Sequence, residues 1–270
     1  MIDHLFDIGF LVLSQLAAGG VVSCLILDVQ MLGKALFRTN GILFLLCMMA
    51  ALALFSFNQT VPAHEGRWIF GLFLAFVFFL LVHVVTLWTG GEAWGRGALW
   101  AAAIAGLWGI YWSAKGYLVS GGHEPFLPWL IPLHFVVSAL LMGSGMVGMN
   151  VGHCYLTKIH LPISPFRKLA AFFLLLLFIE GGIIALGLVR LNDPELIRKA
   201  IFLETFDGLF LWIRVLVGFI GPLVLAFMIL HTIRIRSTQS ATGLIFIAVM
   251  MVVAGQFFTG FFLLTGRKLL

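Results

Sequence analysis

Ile69-Phe70-Gly71-Leu72-Phe73-Leu74-Ala75-Phe76-Val77-Phe78-Phe79-Leu80-Leu81-Val82-His83-Val84-Val85-Thr86-Leu87-Trp88 decides which solvent this chain folds in. The stretch holds one ionisable group, His83. About 20 apolar residues cover a hydrocarbon core about 30 Å thick. No water inside that core satisfies backbone groups, so a span must be helical. Seven further stretches read the same way: Ile8–Leu32, Thr39–Phe57, Ala98–Ser113, Trp129–Cys154, Leu169–Val189, Leu209–Ile233 and Thr242–Leu264. The expected fold is therefore an all-α, polytopic integral membrane protein with eight transmembrane helices. Composition agrees, with 62% hydrophobic and 10% charged residues, against roughly half and a quarter in a soluble domain. Connections of about 6 to 20 residues leave no room for an extramembrane catalytic domain. Whatever chemistry exists sits inside the bundle or belongs to a partner.

The formal charge of +5 does not point to nucleic acid, because Lys and Arg are scattered over loop after loop. A positive-inside bias explains them. Loops after odd-numbered spans carry eight cations (Lys34, Arg38, Arg96, Lys158, Arg167, Lys168, Arg234, Arg236) against two acids, Asp28 and Glu92. The opposite side holds seven cations and eight acids: Asp3, Asp7, Glu65, Glu124, Asp193, Glu195, Glu204 and Asp207. Both termini are expected outside, on the periplasmic side of a cell (inner) membrane. The start, Met1-Ile2-Asp3-His4, lacks the cationic region and cleavage site of a secretory signal, so the first span is expected to stay in the bilayer. Cys24, Cys47 and Cys154 fall within spans, where a free Cys acts as a small hydrophobe. Without CxxCH or CxxC, neither covalent haem nor local cysteine ligation is expected.

Two halves of four spans, 1–118 and 119–270, read as a diverged duplication, or else as chance likeness between apolar helices. Spans one and five share a Ser followed by small residues: Ser14-Gln15-Leu16-Ala17-Ala18-Gly19-Gly20 and Ser138-Ala139-Leu140-Leu141-Met142-Gly143-Ser144-Gly145. Spans three and seven both close on a His, His83 and His231. An even number of spans per half makes the halves parallel four-helix bundles. Gly145, Gly148 and Gly152 form a smooth stripe that lets helices approach in lipid. Gly218, Gly221 and Pro222 predict a kink near the middle of span seven. Trp68, Trp88, Trp94 and Trp129 lie at span ends, as an interfacial belt does.

Ionisable groups inside a bilayer are expensive and mark function by default. Three stand out: His134 in span five, Glu180 in span six and Arg214 in span seven. At about 1.5 Å per residue they lie roughly 8, 15 and 10 Å from the outer ends of their helices. Ser14, Gln15 and Gln256 come to similar depths. One reading is a Glu180–Arg214 ion pair that holds spans six and seven together. The functional reading makes His134 and Glu180 proton carriers tuned by Arg214, as the oxidation of a quinol headgroup requires. Ser14, Gln15 and Gln256 would then contact the quinone. A second group, His83, His153 and His231 with His160 in a loop, sits toward the inner face. Two facing imidazoles could ligate a b-type haem there, and unligated interfacial histidines are the plainer reading. Val151-Gly152-His153-Cys154-Tyr155-Leu156-Thr157, running on to Leu161-Pro162-Ile163-Ser164-Pro165, reads as an inner cap and turn.

The eight spans in two sets, the minimal loops and a Gly-rich first span after an acidic start resemble the membrane anchors of the polysulfide reductase and dimethyl sulfoxide reductase group. The last 60 residues carry most of the likeness: Gly221-Pro222-Leu223-Val224-Leu225, a basic loop, and a helix closing through Gly255 and Gly260 to Gly266-Arg267. The resemblance implies a metal-free anchor that binds quinone (menaquinone or ubiquinone) and passes electrons to an iron–sulfur or cytochrome partner. Where the group has an acidic-Leu-Gly-x-Pro loop after span two, this chain has Thr60-Val61-Pro62-Ala63-His64. No residue is carried over by position. The expected function is a quinone-reactive anchor subunit of a respiratory-type complex, at most quinol-oxidising, with His134, Glu180 and Arg214 at its centre. The alternatives are a haem-b membrane cytochrome subunit and a transporter of small solutes or ions. Neither HExxH nor GxSxG occurs, so nothing recommends a hydrolase.

Overall fold

The computed structural model describes residues 4–57, 60–120, 129–158, 161–190, 198, 202 and 206–264. His160, the loop acids Asp3, Glu124, Asp193, Glu195 and Glu204, and the closing Gly266-Arg267 lie outside them. Among the described residues the elements are all helical: α1 (Leu5–Leu25), α2 (Val29–Leu32), α3 (Lys34–Phe55), α4 (Ala63–Thr89), α5 (Glu92–Ser120), α6 (Leu130–Thr157), α7 (Ser164–Arg190), α8 (Phe206–Val215), a π turn (Leu216–Ile220), α9 (Gly221–Arg234) and α10 (Thr238–Leu264). Seven helical rods are long and apolar enough to cross a membrane: α1, α3, α4, α6, α7, α10 and the continuous α8–π–α9 rod from Gly208 to Arg234. The chain is a polytopic membrane protein. The helix expected over Ala98–Ser113 forms as α5, but it is not among those seven. Trp94, Trp100, Trp108, Trp112 and five glycines dilute its apolar content.

Two expectations need adjustment. The first span ends at Leu25, not Leu32. Asp28 accepts a hydrogen bond from the Gln30 backbone N–H at 2.9 Å, which caps the short α2 and separates it from α1. Gly33, at φ +87°, then turns the chain into α3. In span seven the expected break is a π turn. Pro222 has no N–H to give, and its ring crowds the carbonyl one turn back. The ladder slips, and Gly221 N–H bonds to Leu216 C=O, five residues earlier.

Small and polar residues choose the buried faces, because lipid outside is as apolar as leucine inside. On α1 the buried set includes Ser14, Gln15, Ala17, Ala18, Gly19 and Ser23, while Leu5 and Phe6 stay exposed. On α6 it includes Ser138, Ala139, Gly143, Ser144 and Gly148. α1 packs on α3, α5 and α6, and α4 bridges α3 and α5. α6 packs on α7 and α10, and α9 bridges these two. α1 and α6 cross where Gly19 meets Ala139 and Gly143 meets Gly19 and Gly20. Gly19 and Gly143 each stand five residues after the Ser that opens the shared run, so matching positions of the two runs touch. A third glycine contact closes the other side: a Cβ on Gly218 would lie 2.6 Å from Gly255 Cα.

The C-terminal carbonyls of α4 lack intrahelical partners. Arg38 supplies one, donating from Nη2 to Leu87 C=O at 2.6 Å while its guanidinium lies 4.1 Å over the Trp88 ring. Replacing Arg38 with Ala removes both contacts and is expected to destabilise the protein by about 2 kcal/mol. Lys cannot make the two contacts at once with a planar fork, so Arg38→Lys should recover less than half. Thermal unfolding of the purified variants in detergent reads this, and equal midpoints for Arg38→Ala and the parent would refute it.

Candidate functional site

The three ionisable residues singled out in the sequence come together. His134 stands in the first turns of α6, Glu180 in α7 and Arg214 at the end of α8, just before the π turn. Gln256 joins them from α10. All four are buried, Glu180 to 2% exposure and Arg214 to 5%. His134 Nε2 lies 2.7 Å from Glu180 Oε1, and Arg214 Nη2 lies 3.2 Å from the same nitrogen. Gln256 Nε2 donates to Glu180 Oε1 at 3.2 Å. The expected link between Glu180 and Arg214 therefore runs through the imidazole. His134 reaches both because α6 packs against α7 and α10 while α8, which carries Arg214, also packs against α10, a placement no helix-by-helix reading contains.

One ring nitrogen carries either a proton or a lone pair, not both. With a proton on Nε2, His134 donates to an ionised Glu180, and the Arg214 N–H finds no acceptor there. With Nε2 bare, it accepts from Arg214, and the proton between His134 and Glu180 resides on the carboxyl group. With a proton on Nδ1 in both states, the two hold the same number of protons. Over 2.7 Å the difference is a short proton displacement that re-pairs three side chains. Glu180 Oε2 has no hydrogen-bond partner among the described residues. A buried acceptor left that way costs about 1–3 kcal/mol. The arrangement holds a carboxyl group, an imidazole and a guanidinium in one buried chain of contacts.

Ser138, one helical turn after His134, puts its hydroxyl 3.4 Å from Nε2. Its spacing of four on the same face was the available signal, and the sequence reading used it only as part of the small-residue run. Beside the cluster lies a cavity of about 10 Å³, bordered by Gln15, His134, Gln256 and Thr259 among apolar neighbours. That is room for one water, with enough polar partners to hold it. Gln15 and Gln256 thus border the same cavity as His134. Ser14 does not join them, since its hydroxyl donates to the Leu11 carbonyl of its own helix at 3.2 Å.

His83, His153 and His231 stay apart. His83 is buried, with Nδ1 2.7 Å from the Gly95 carbonyl, and lines a pocket where α1 ends. His153 is exposed and borders a groove with Gln239 and Thr242, and His231 is exposed on α9. Among the described residues no three His, Cys, Asp or Glu side chains stand close enough to share a metal ion. A polar link that the sequence reading passed over joins α3 to α6: Asn150 Nδ2 donates to Asn40 Oδ1 at 2.6 Å. No family model, curated protein or solved structure matches the chain.

Proposed function

We propose that this protein is a quinone-reactive anchor subunit of a membrane redox complex, and that His134 and Glu180 accept a proton as quinol is oxidised. On this reading α5 is the eighth span, the spans form two parallel four-helix bundles, and the cluster faces the outer half of the membrane. One observation carries the proposal: a single buried imidazole nitrogen stands between a carboxylate at 2.7 Å and a guanidinium at 3.2 Å. Oxidation of one quinol releases two protons and two electrons. One proton goes to the His134–Glu180 pair and the other leaves by way of the adjoining water site. Both electrons pass to a partner subunit with iron–sulfur or haem centres. The water site is too small for a quinol ring. The headgroup therefore enters only when the rod carrying Arg214 shifts outward, and the π turn next to Arg214 supplies the weak point in that rod.

The test uses the complex assembled with its redox partner. Glu180→Gln and His134→Ala are each expected to lower quinol-dependent reduction of the partner by about 100-fold or more, the range of a lost proton carrier. The partner should remain bound in both. Intact activity in both variants would sink the proposal. A reduced-minus-oxidised visible spectrum, with quinone measured in a solvent extract of the same sample, separates this reading from the haem one. Sharp α and Soret bands would move the role to His83, His153 and His231. A second reading, movement of a small solute coupled to protons, is favoured by the π turn beside Arg214. It gains if neither quinone nor haem co-purifies.

A further inference from the structure

The other end of α1 holds a second polar space that the quinone reading does not use. It is a cavity of about 110 Å³ formed where α1, α2, α4 and α5 meet. From Gln15 to Cys24 on its wall is nine residues, or about 14 Å along α1, so it is separate from the His134 cluster. We propose that this pocket binds a small zwitterion, a molecule of about five or six non-hydrogen atoms with one ammonium and one carboxylate group.

The donors and acceptors on the page define the ligand. His83 is 3% exposed and sits on the pocket wall. A carbonyl has no proton to give, so in its contact with Gly95 at 2.7 Å the hydrogen belongs to Nδ1 of His83. In the neutral form of that ring Nε2 is bare and can only accept. Thr86 spends its hydroxyl proton on the His83 carbonyl at 2.7 Å, leaving lone pairs. Asp28 spends one carboxylate oxygen on the Gln30 N–H and keeps the other. Three acceptors on one pocket suit a three-proton donor, an ammonium.

Arg96 lines the same pocket and offers a planar fork of N–H donors that fits a carboxylate. Among the described residues Asp28 and Arg96 form no ion pair with each other, although both border the pocket. Each charge is thus open to a ligand's opposite charge. Size narrows the class further. A cavity of about 150 Å³ takes benzene, so about 110 Å³ takes something the size of glycine, alanine or β-alanine. Apolar walls such as Leu87 and Leu99 exclude larger hydrated ions. A close approach of α5 to α4 makes the floor, because a Cβ on Gly95 would press on Thr86 and reach within 3.6 Å of His83 Nδ1.

The full-length protein in lipid nanodiscs is titrated with radiolabelled glycine and β-alanine. Saturable binding is expected for at least one of them. Methylamine and acetate, each carrying half of the charge pattern, should compete about tenfold more weakly or worse. Asp28→Asn keeps the cap on α2 and, like Arg96→Gln, changes an exposed side chain, so both variants should fold with the parent's unfolding midpoint. Each should bind the zwitterion about tenfold more weakly. Glu180→Gln should bind it as the parent does, which keeps a failure here distinct from a failure of the quinone reading. Methylamine or acetate competing as well as glycine would overturn the proposal. So would normal binding by Asp28→Asn or Arg96→Gln, or no saturable binding by either zwitterion up to about 10 mM.

Discussion

Gly19→Val is expected to prevent this protein from accumulating in a folded, monodisperse form. A Cβ at Gly19 falls on the backbone carbonyl of Ala139, and a Cβ at Gly143 falls on the backbone of Gly19 and Gly20. Where the obstacle is a flexible side chain, it can turn away. Here it is helix backbone on both sides, so α1 and α6 must separate along their shared seam. Overpacking usually costs about 1–3 kcal/mol, and losing the close approach of two central helices adds to that. Gly143→Leu should fail in the same way. Gly71, in α4, meets nothing within 4 Å, and Gly71→Val is expected to be neutral. Size-exclusion profiles and unfolding midpoints of the three variants in detergent check this. A Gly19→Val protein that melts with the parent would show that α1 and α6 do not cross there.

The second large effect concerns charge. Arg214→Met is expected to destabilise the protein by about 3–5 kcal/mol, the usual penalty when one partner of a buried ionic set is removed. Glu180 would keep its carboxylate at 2% exposure, with His134 and Gln256 left as its hydrogen-bond partners among the described residues. Adding Glu180→Gln should therefore restore most of the loss, because the uncompensated charge goes with it. Residues in one such network couple by about 0.5–3 kcal/mol. The double-mutant cycle is read from unfolding in graded denaturing detergent. Additive effects would mean that Arg214 acts on something other than the His134–Glu180 pair. The same cycle bears on the proposed function, since a cluster that only holds helices together would show the coupling without any loss of quinol-dependent electron transfer in Glu180→Gln.

Much of this was open to inspection in the chain itself. A bilayer sorts segments by length and apolar content, both of them local properties, so the apolar rods could be placed without a structure. Buried charge in lipid is so costly that His134, Glu180 and Arg214 identified themselves by position alone. The kink at Gly221-Pro222 followed from a missing N–H. Boundaries were less visible where a polar residue competes with the helix, as Asp28 does in ending span one early. α5 carries a weaker signal, since its tryptophans and glycines lower its apolar content.

What the sequence determined alone is the solvent, the helical rods within it and the residues too polar to be there by accident. Which of those residues meet was decided by tertiary packing. Depth along a helix is a count of residues, but rotation about its axis depends on the neighbour it packs against. In lipid, apolar periodicity does not report that rotation, because both faces of a rod are apolar. Hence Ser14 and Gln15, adjacent in the chain, part company: the Ser14 hydroxyl turns back onto its own helix, and Gln15 borders the water site beside His134. For the same reason the sequence singles out the imidazole, the carboxylate and the guanidinium, while the position of the imidazole between the two charges could be known only from the fold.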